Sequence, residues 1–294
     1  MNRCIGCGIK LQNSNKDNLG YTKDLKNKYC ERCFKTIHYN EERIVNNIDN
    51  YKIIDKVNKL SFYTIFITDL LNINEELITM YKRVNNSKIL VINKCDLIPS
   101  NLDLDHIKDN IKNVYNIKED IIFISAKKKY NLNKIIEIIE DNNNVILCGE
   151  TSSGKSTLIN TLLETNLTTS KYSNTTLDFI KLRYNDYIIY DSPGISLSKK
   201  EVYDRIDIKP LQINDKYIIS ISDTIIRSNG NITLFLSDKA NYKSKKSDII
   251  LDNEINVSDN SDILIPGYGF IYVKKGINIK SNKKINIRKS IIGK

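Results

Sequence analysis

Four cysteines in this chain fall into two pairs, Cys4-Ile5-Gly6-Cys7 and Cys30-Glu31-Arg32-Cys33. A CxxC turn lets two thiolates approach one ion at tetrahedral angles. Two such turns separated by a loop make a structural zinc site with no open position. Disulfides are the alternative, and no charged-then-apolar secretory pattern at the N-terminus favours them. His38 follows closely and offers a phosphate contact or an alternative ligand. Four thiolates already complete the set, so His38 reads as a structural histidine. Cys95 and Cys148 lie in different contexts.

A second constellation suits phosphate. Gly149-Glu-Thr-Ser-Ser-Gly154-Lys155-Ser156 matches GxxxxGKS. The amides around Gly149, Ser152, Ser153, Gly154 and Thr157 are expected to wrap phosphates, helped by a helix N-terminus. Lys155 reaches the β and γ phosphates, and Ser156 ligates magnesium. Some forty residues on, Asp191-Ser-Pro-Gly194 supplies an acid for the same metal, held through water, and a Gly194 amide able to sense a γ-phosphate. Between them lies Ser173-Asn-Thr-Thr176-Leu-Asp178. Thr176 is preferred to Thr175 as the threonine that closes over magnesium, because Thr-x-Asp leads into the strand from Phe179 to Tyr184.

The base is chosen by two upstream segments. In Asn93-Lys94-Cys95-Asp96, the Asp96 carboxylate can accept from guanine N1 and N2 together, a pattern adenine does not offer. Asn93 can bond N7 and support the loop, while the Lys94 stem lies along the ring plane. In Ser125-Ala126-Lys127, the Ala126 amide can donate to guanine O6. The expected ligands are therefore GTP and GDP, Mg2+ and Zn2+.

Each motif needs an element behind it. Lys88–Ile92, Asp120–Ile124, Asn144–Cys148 and Tyr187–Tyr190 are apolar runs that read as strands, each ending where a motif begins. Thr157–Leu163 and 132–141 read as helices. The fold class is α/β, with NKxD and SAK preceding the P-loop, the switch threonine and DxPG. Ras-like GTPases run the two blocks the other way round, so this order is a circular permutation, with the helix after SAK connecting to the P-loop strand. The second switch then runs toward the C-terminal segment, and nucleotide state could bias that segment's placement.

The chain has 294 residues, which at roughly 100–200 per domain predicts two or three domains. We divide it into a zinc-binding knuckle (1–45), a permuted GTPase domain (46–208) and a β-rich C-terminal domain (209–294). The knuckle is too short for a large core, so metal supplies much of its folding energy. Hydrophobic residues make up 40% and charged residues 27%, which excludes wholesale disorder. No apolar run approaches the ~20 residues of a membrane span. A net charge of +10 favours an anionic partner, nucleic acid first.

The sequence resembles the YqeH family of circularly permuted GTPases over nearly its whole length. CIGCGIKLQ and YCERCFKTIHYNE resemble the family's zinc knuckle; NKCDLIP, SAKK, GETSSGKSTLIN, NTTLDFI and DSPGI stand in the family order. The tail IPGYGFIYV…INIRKSI resembles the family's ending, which implies a complete C-terminus. The resemblance implies GTP hydrolysis and a role in assembling the small (30S) ribosomal subunit through its rRNA, in a cytoplasmic monomer with no membrane partner. Relatives usually carry asparagine where Ser152 stands, and that asparagine helps hold a catalytic K+ ion; serine counts against potassium stimulation. Ile195 follows DSPG where Ras-like enzymes place the water-orienting glutamine, so very slow intrinsic hydrolysis is expected. The chain is also shorter than typical relatives between Pro210 and Ile265.

Residues 209–294 contain β-type runs at 216–222, 231–236, 261–265, 270–273 and 285–288, separated by turn signals. Residues 274–294 carry Lys274, Lys275, Lys280, Lys283, Lys284, Arg288, Lys289 and Lys294 with no acid, a run that suits a phosphate backbone. Tyr268, Phe270 and Tyr272 alternate; one face of a strand is favoured over base stacking. The leading reading is a GTP-dependent assembly switch acting on ribosomal RNA. The alternatives are a zinc-containing RNA-binding protein not controlled by nucleotide, and a metabolic P-loop kinase, against which NKxD counts.

Overall fold

The computed structural model describes residues 3–39, 49–98, 102–163, 178–196, 208–213, 217–221, 224–228, 231–237, 242–245, 253–265, 268–282 and 285–293. The chain forms two compact units. One comprises Met1–Cys95 with Glu119–Lys200, the other Asp96–Lys118 with Glu201–Lys294.

The first unit opens with the cysteine-bearing segment, which ends in helix α1 (Glu31–Tyr39). Then come α2 (Asn50–Leu60), β1 (Tyr63–Asp69), α3 (Glu75–Arg83), β2 (Lys88–Asn93), β3 (Ile121–Phe123), α5 (Leu132–Asn142), β4 (Asn144–Gly149), α6 (Lys155–Leu163), β5 (Ile180–Tyr184) and β6 (Tyr187–Asp191). Helix α4 (Leu104–Tyr115), between β2 and β3 in the chain, groups with the second unit.

The six strands form one sheet in the order β3-β2-β1-β4-β6-β5. All pairs are parallel except β5 with β6. Central strands such as Lys88-Ile-Leu-Val-Ile-Asn93 are near-continuous apolar runs because both faces are covered. Ile65, Ile67, Val91, Val145 and Leu147 share one core with Ile135 and Ile139 of α5 and Leu158 and Ile159 of α6. On the opposite face of β1, Phe66 meets Tyr81 of α3 edge-on at 5.4 Å. Asp49 and Asn74 cap α2 and α3 by accepting from the backbone amides of Tyr51 and Leu77.

The sheet explains how the exchanged blocks coexist. β1, β2 and β3 lie on one side of the P-loop strand β4, and β6 and β5 on the other. The chain enters through the half that Ras-like proteins build last. The circular permutation expected from the motif order is the observed topology. Asp69, Asn93, Gly149 and Asp191 close β1, β2, β4 and β6. Parallel α/β sheets bind ligands beyond those carboxyl ends.

Among its described residues the second unit contains α4 and ten strands: β7 (Ile208–Ile213), β8 (Tyr217–Ile221), β9 (Thr224–Ser228), β10 (Ile232–Ser237), β11 (Tyr242–Lys245), β12 (Asn253–Val257), β13 (Ser261–Ile265), β14 (Gly269–Val273), β15 (Ile277–Ser281) and β16 (Asn286–Lys289). They make two five-stranded antiparallel sheets, β16-β13-β14-β10-β7 and β11-β8-β9-β15-β12. Alternate apolar residues from both sheets, mostly isoleucines such as Ile219, Ile226, Ile263 and Ile271, meet in one core. The expected β-rich C-terminal segment is therefore present, with more strands than the sequence runs suggested. Asn110 of α4 donates to the carbonyls of Ile291 and Gly293 at 3.2 and 2.7 Å.

The basic tail is not wholly the solvent-facing run that its sequence suggested. Arg288 is buried and its Nε pairs with Asp262 Oδ2 at 3.0 Å across β13 and β16. Its guanidinium also lies 5.2 Å over the Phe270 ring. Facing residues in a ladder drew this cation inward, so it does not belong to a phosphate-binding face. Phe270 is likewise committed, stacked on Phe235 at 5.0 Å, which agrees with the strand-face reading of the alternating aromatics. Lys283, Lys284 and Lys294 lie outside the described residues.

Candidate nucleotide site and thiol cluster

One side chain ties three motifs together. Asn93 is buried at the end of β2. Its Nδ2 donates to the Ser153 carbonyl in the P-loop at 2.8 Å. Its Oδ1 accepts from the Ala126 amide at 3.0 Å and from the Lys94 amide at 2.8 Å. The NKxD asparagine therefore supports the loops, and these contacts hold SAK beside the P-loop. Gly154, with φ of 93°, passes directly over the Asn93 amide, where a Cβ would collide. Glycine is required there on both counts.

The P-loop runs from β4 into α6. Lys155 is nearly buried, and its Nζ donates to the carbonyls of Gly149 and Glu150, each at 3.0 Å. Ser153 Oγ donates to the Glu150 carbonyl at 2.7 Å, which tightens the turn. Ser152 adopts φ of 61°. That left-handed conformation suits asparagine better than serine. Ser156 stands in the first turn of α6, half-buried, and Thr157 is exposed beside it.

The DxPG segment is knitted to the P-loop. Asp191, fully buried, faces Leu147 in the β4–β6 ladder. The Ile195 amide donates to Gly149 O and the Thr151 amide to Ile195 O, both at 2.9 Å. Gly194 packs on Thr151 so closely that a Cβ would lie 2.6 Å from its Cγ2. Ile195 is fully buried, so the position after DxPG carries packing and no group that aligns water. Beneath the loop, burial pushes the Cys148 thiol up to about 11, so it stays protonated at neutral pH. A hydroxyl from Ser156 and a carboxylate from Asp191 are the hard oxygen donors that magnesium takes. Thr176 lies outside the described residues.

Around the base motifs the structure adds a residue that sequence reading missed. Lys94 Nζ pairs with Asp69 Oδ2 at 2.9 Å, and Asp69 is buried at the end of β1. Asp69 Oδ1 accepts from the Asn72 backbone and side chain at 3.1 and 2.6 Å. The lysine stem is thus anchored at its tip. Asp96 stands, half-buried, in the 3-10 turn Cys95–Leu97. Ser125 and Ala126 are buried, and Ser125 Oγ accepts from the Lys128 amide at 3.0 Å to close a tight loop whose Lys127 is exposed.

The four N-terminal cysteines come together. Their Sγ atoms all lie within 4.8 Å of one another, Cys7 to Cys30 at 3.9 Å. Tetrahedral zinc with bonds of about 2.3 Å puts sulfurs about 3.8 Å apart, so the cluster fits that ion. Left to one another the thiols cannot all ionise. A hydrogen bond from Cys30 holds Cys4 low and one from Cys33 lowers Cys30 to about 7, while Cys7 and Cys33 are pushed up. A divalent cation removes that conflict. His38 stays outside the cluster, its ring 4.4 Å from Phe34.

A second missed residue joins the knuckle to the nucleotide domain. Asp178 pairs with Arg3 of the knuckle and with Lys56 of α2, the latter at 2.8 Å. Its amide also donates to the Cys7 carbonyl at 3.2 Å. Burial pushes its carboxyl up, but the Lys56 and Arg3 bonds outweigh burial and hold it below the usual range. Asp178 is two residues beyond Thr176. The only sequence signal for this role was its place after the switch threonine.

Comparison with known proteins agrees with this geometry. A family model described as RsgA GTPase matches residues 30–200. One described as 50S ribosome-binding GTPase matches residues 144–264. The uncharacterized protein YqeH of Bacillus subtilis (strain 168) is 31% identical over 214 residues, covering 65% of this chain and 58% of that protein. GTPase Der of Finegoldia magna is 30% identical, covering 73% of this chain and 55% of that one. Small ribosomal subunit biogenesis GTPase RsgA of Clostridium acetobutylicum is 34% identical over 43% of this chain and 46% of that one. The chain thus spans about half the length of the curated relatives it matches.

Proposed function

We propose that this chain, which belongs to the RsgA GTPase family, binds GTP, hydrolyses it slowly and uses the nucleotide state to control attachment to the small ribosomal subunit during its assembly. The observation that carries the GTPase reading is the Asn93 bridge between NKxD, SAK and the P-loop. The bridge brings the guanine-reading Asn93-Lys94-Cys95-Asp96 and Ser125-Ala126-Lys127 segments to the phosphate loop. The ribosomal part rests on the relative named for small-subunit biogenesis. We assign the knuckle (1–45) and the β-rich segment (209–294) to grip RNA or protein on either side of the switch. We place the protein in the cytoplasm as a monomer.

In the site so read, Asp96 selects guanine together with the Ala126 amide, which exchanges its bond to Asn93 Oδ1 for guanine O6, with Lys94 along the ring. The loop amides around Gly149, Ser152, Ser153, Gly154 and Thr157 cradle the phosphates. Lys155 exchanges its bonds to the Gly149 and Glu150 carbonyls for phosphate oxygens and offsets charge that develops as water attacks in line. Ser156, Asp191 and Thr176 would hold magnesium, which would supply charge neutralisation for the phosphates. Cys4, Cys7, Cys30 and Cys33 would hold zinc in a purely structural role. The Gly194 amide reports the γ-phosphate to the second switch. No described residue offers a general base, which agrees with slow intrinsic hydrolysis unless a partner or cation helps.

Competition binding tests this reading. GDP and GTP should displace a fluorescent guanine nucleotide, while ATP at a hundredfold excess should not. Asn93→Ala should lose guanine binding by at least about tenfold, because it frees two loops at once. Equal displacement by ATP would contradict the assignment.

A further inference from the structure

The knuckle has an outward face that neither metal nor nucleotide uses. Of the ten exposed large apolar side chains among the described residues, six lie between Ile5 and Tyr39. Two of the six, Phe34 and Tyr39, meet at one groove, and contiguous exposed apolar surface of that kind marks a contact surface. Phe34 and Tyr39 of α1, 44% and 65% exposed, border a groove of about 430 Å³ that also takes in Tyr29. Phe34 is braced by His38 at 4.4 Å and by the edge of Tyr39 at 6.1 Å, so the aromatic wall is ordered beforehand. Lys23, Lys28 and Lys35 rim the same groove. Among the described residues of its lining the one acid, Glu31, is paired with Lys35 at 3.0 Å. Residues 1–39 carry eight Lys and Arg against three Asp and Glu.

We propose that this groove binds single-stranded RNA, with unpaired bases lying on the aromatic rings and neighbouring phosphates meeting the lysines. The inference rests on the proposed ribosomal function and names the surface that holds its RNA. Ring faces with interleaved cations accept bases of any identity, so the site reads strandedness and not sequence. Duplex RNA keeps its base faces stacked and presents none to the wall. The excess positive charge favours RNA over an apolar peptide as the occupant.

The test uses the full chain, a labelled single-stranded oligoribonucleotide and its duplex, at two salt concentrations. Phe34→Ala with Tyr39→Ala should weaken single-strand binding at least about tenfold and leave the salt dependence intact. Lys23→Ala with Lys28→Ala should flatten the slope of log affinity against log salt by about 1.4. Phe34→Tyr should bind as the parent does. Zinc content and GDP affinity, measured on each variant, confirm that the chain still folds. Unchanged binding in both double variants, or equal affinity for the duplex, overturns the proposal. Loss of subunit binding without loss of oligonucleotide binding overturns it in favour of a protein partner. Subunit binding that depends on nucleotide but ignores all four substitutions sinks the groove and leaves the proposed function standing. Intact groove effects without nucleotide control of subunit binding do the reverse.

Discussion

Asp69 and Asn93 show how much a single side chain can decide in this site. Asn93 was legible because NKxD is a spacing motif. What its side chain does was half legible: its oxygen accepts from the Ala126 and Lys94 amides and its nitrogen donates to Ser153. Asp69 was not legible. An acid closing an apolar strand before Leu-Leu-Asn looks like any turn residue, and only the fold brings it to Lys94. Its burial makes the pair sensitive to removal of one member, since a buried partner left alone is costly. Asp69→Asn should therefore raise the GTP dissociation constant about tenfold, a change of ~1.4 kcal/mol, by loosening the lysine over the base. Titration with a fluorescent guanine nucleotide reads this directly. A change below twofold would show that Lys94 is positioned by the loop alone.

Among elements, β2, β4 and β6 were the easiest to read because each apolar run ends in a motif, whereas β1, in the middle of the sheet, ends in none and went unread. The thin strands of the second unit were harder. β15 reads Ile-Asn-Ile-Lys-Ser and β12 Asn-Glu-Ile-Asn-Val, so alternation leaves only two apolar residues in each. Their pairing, not their own composition, makes them strands. The link between knuckle and nucleotide domain also appears only at this scale. Asp178 leads into β5 and joins Arg3 and Lys56, which ties the start of that strand to the knuckle. Its carboxyl is held low by those cations, so its contribution is present above the ordinary aspartate value of about 3.9. It is lost as pH falls through the lower folded value. Hydrogen exchange at the knuckle amides should rise on acidification below about pH 4 in the parent and already be high at neutral pH in Asp178→Asn. Chelating zinc should slow GTP hydrolysis in the parent and have little further effect in that variant. An equal effect of chelation in both would mean that knuckle and switch are not coupled through Asp178.

For the whole molecule, the permutation sets the logic. β6 and DxPG close the nucleotide sheet, and the chain then continues toward the β sandwich of the second unit. The cysteine segment at the other end meets Asp178. Asp178 thus touches one of the two segments proposed to grip RNA, and DxPG precedes the other in the chain. The order of motifs made only the second of these legible, since it placed DxPG before the C-terminal segment. The grouping of α4 with the β sandwich was not legible, because its amphipathic pattern states that it packs and not against what. The measurement that bears most directly on the account is co-sedimentation of the purified chain with small and, separately, large ribosomal subunits. It should be run without nucleotide, with GDP and with a non-hydrolysable GTP analogue. Binding to the small subunit that strengthens at least about tenfold with the analogue over GDP is the predicted result, a difference of ~1.4 kcal/mol. Equal binding in all three conditions, or preference for the large subunit, would contradict a nucleotide switch acting on small-subunit assembly.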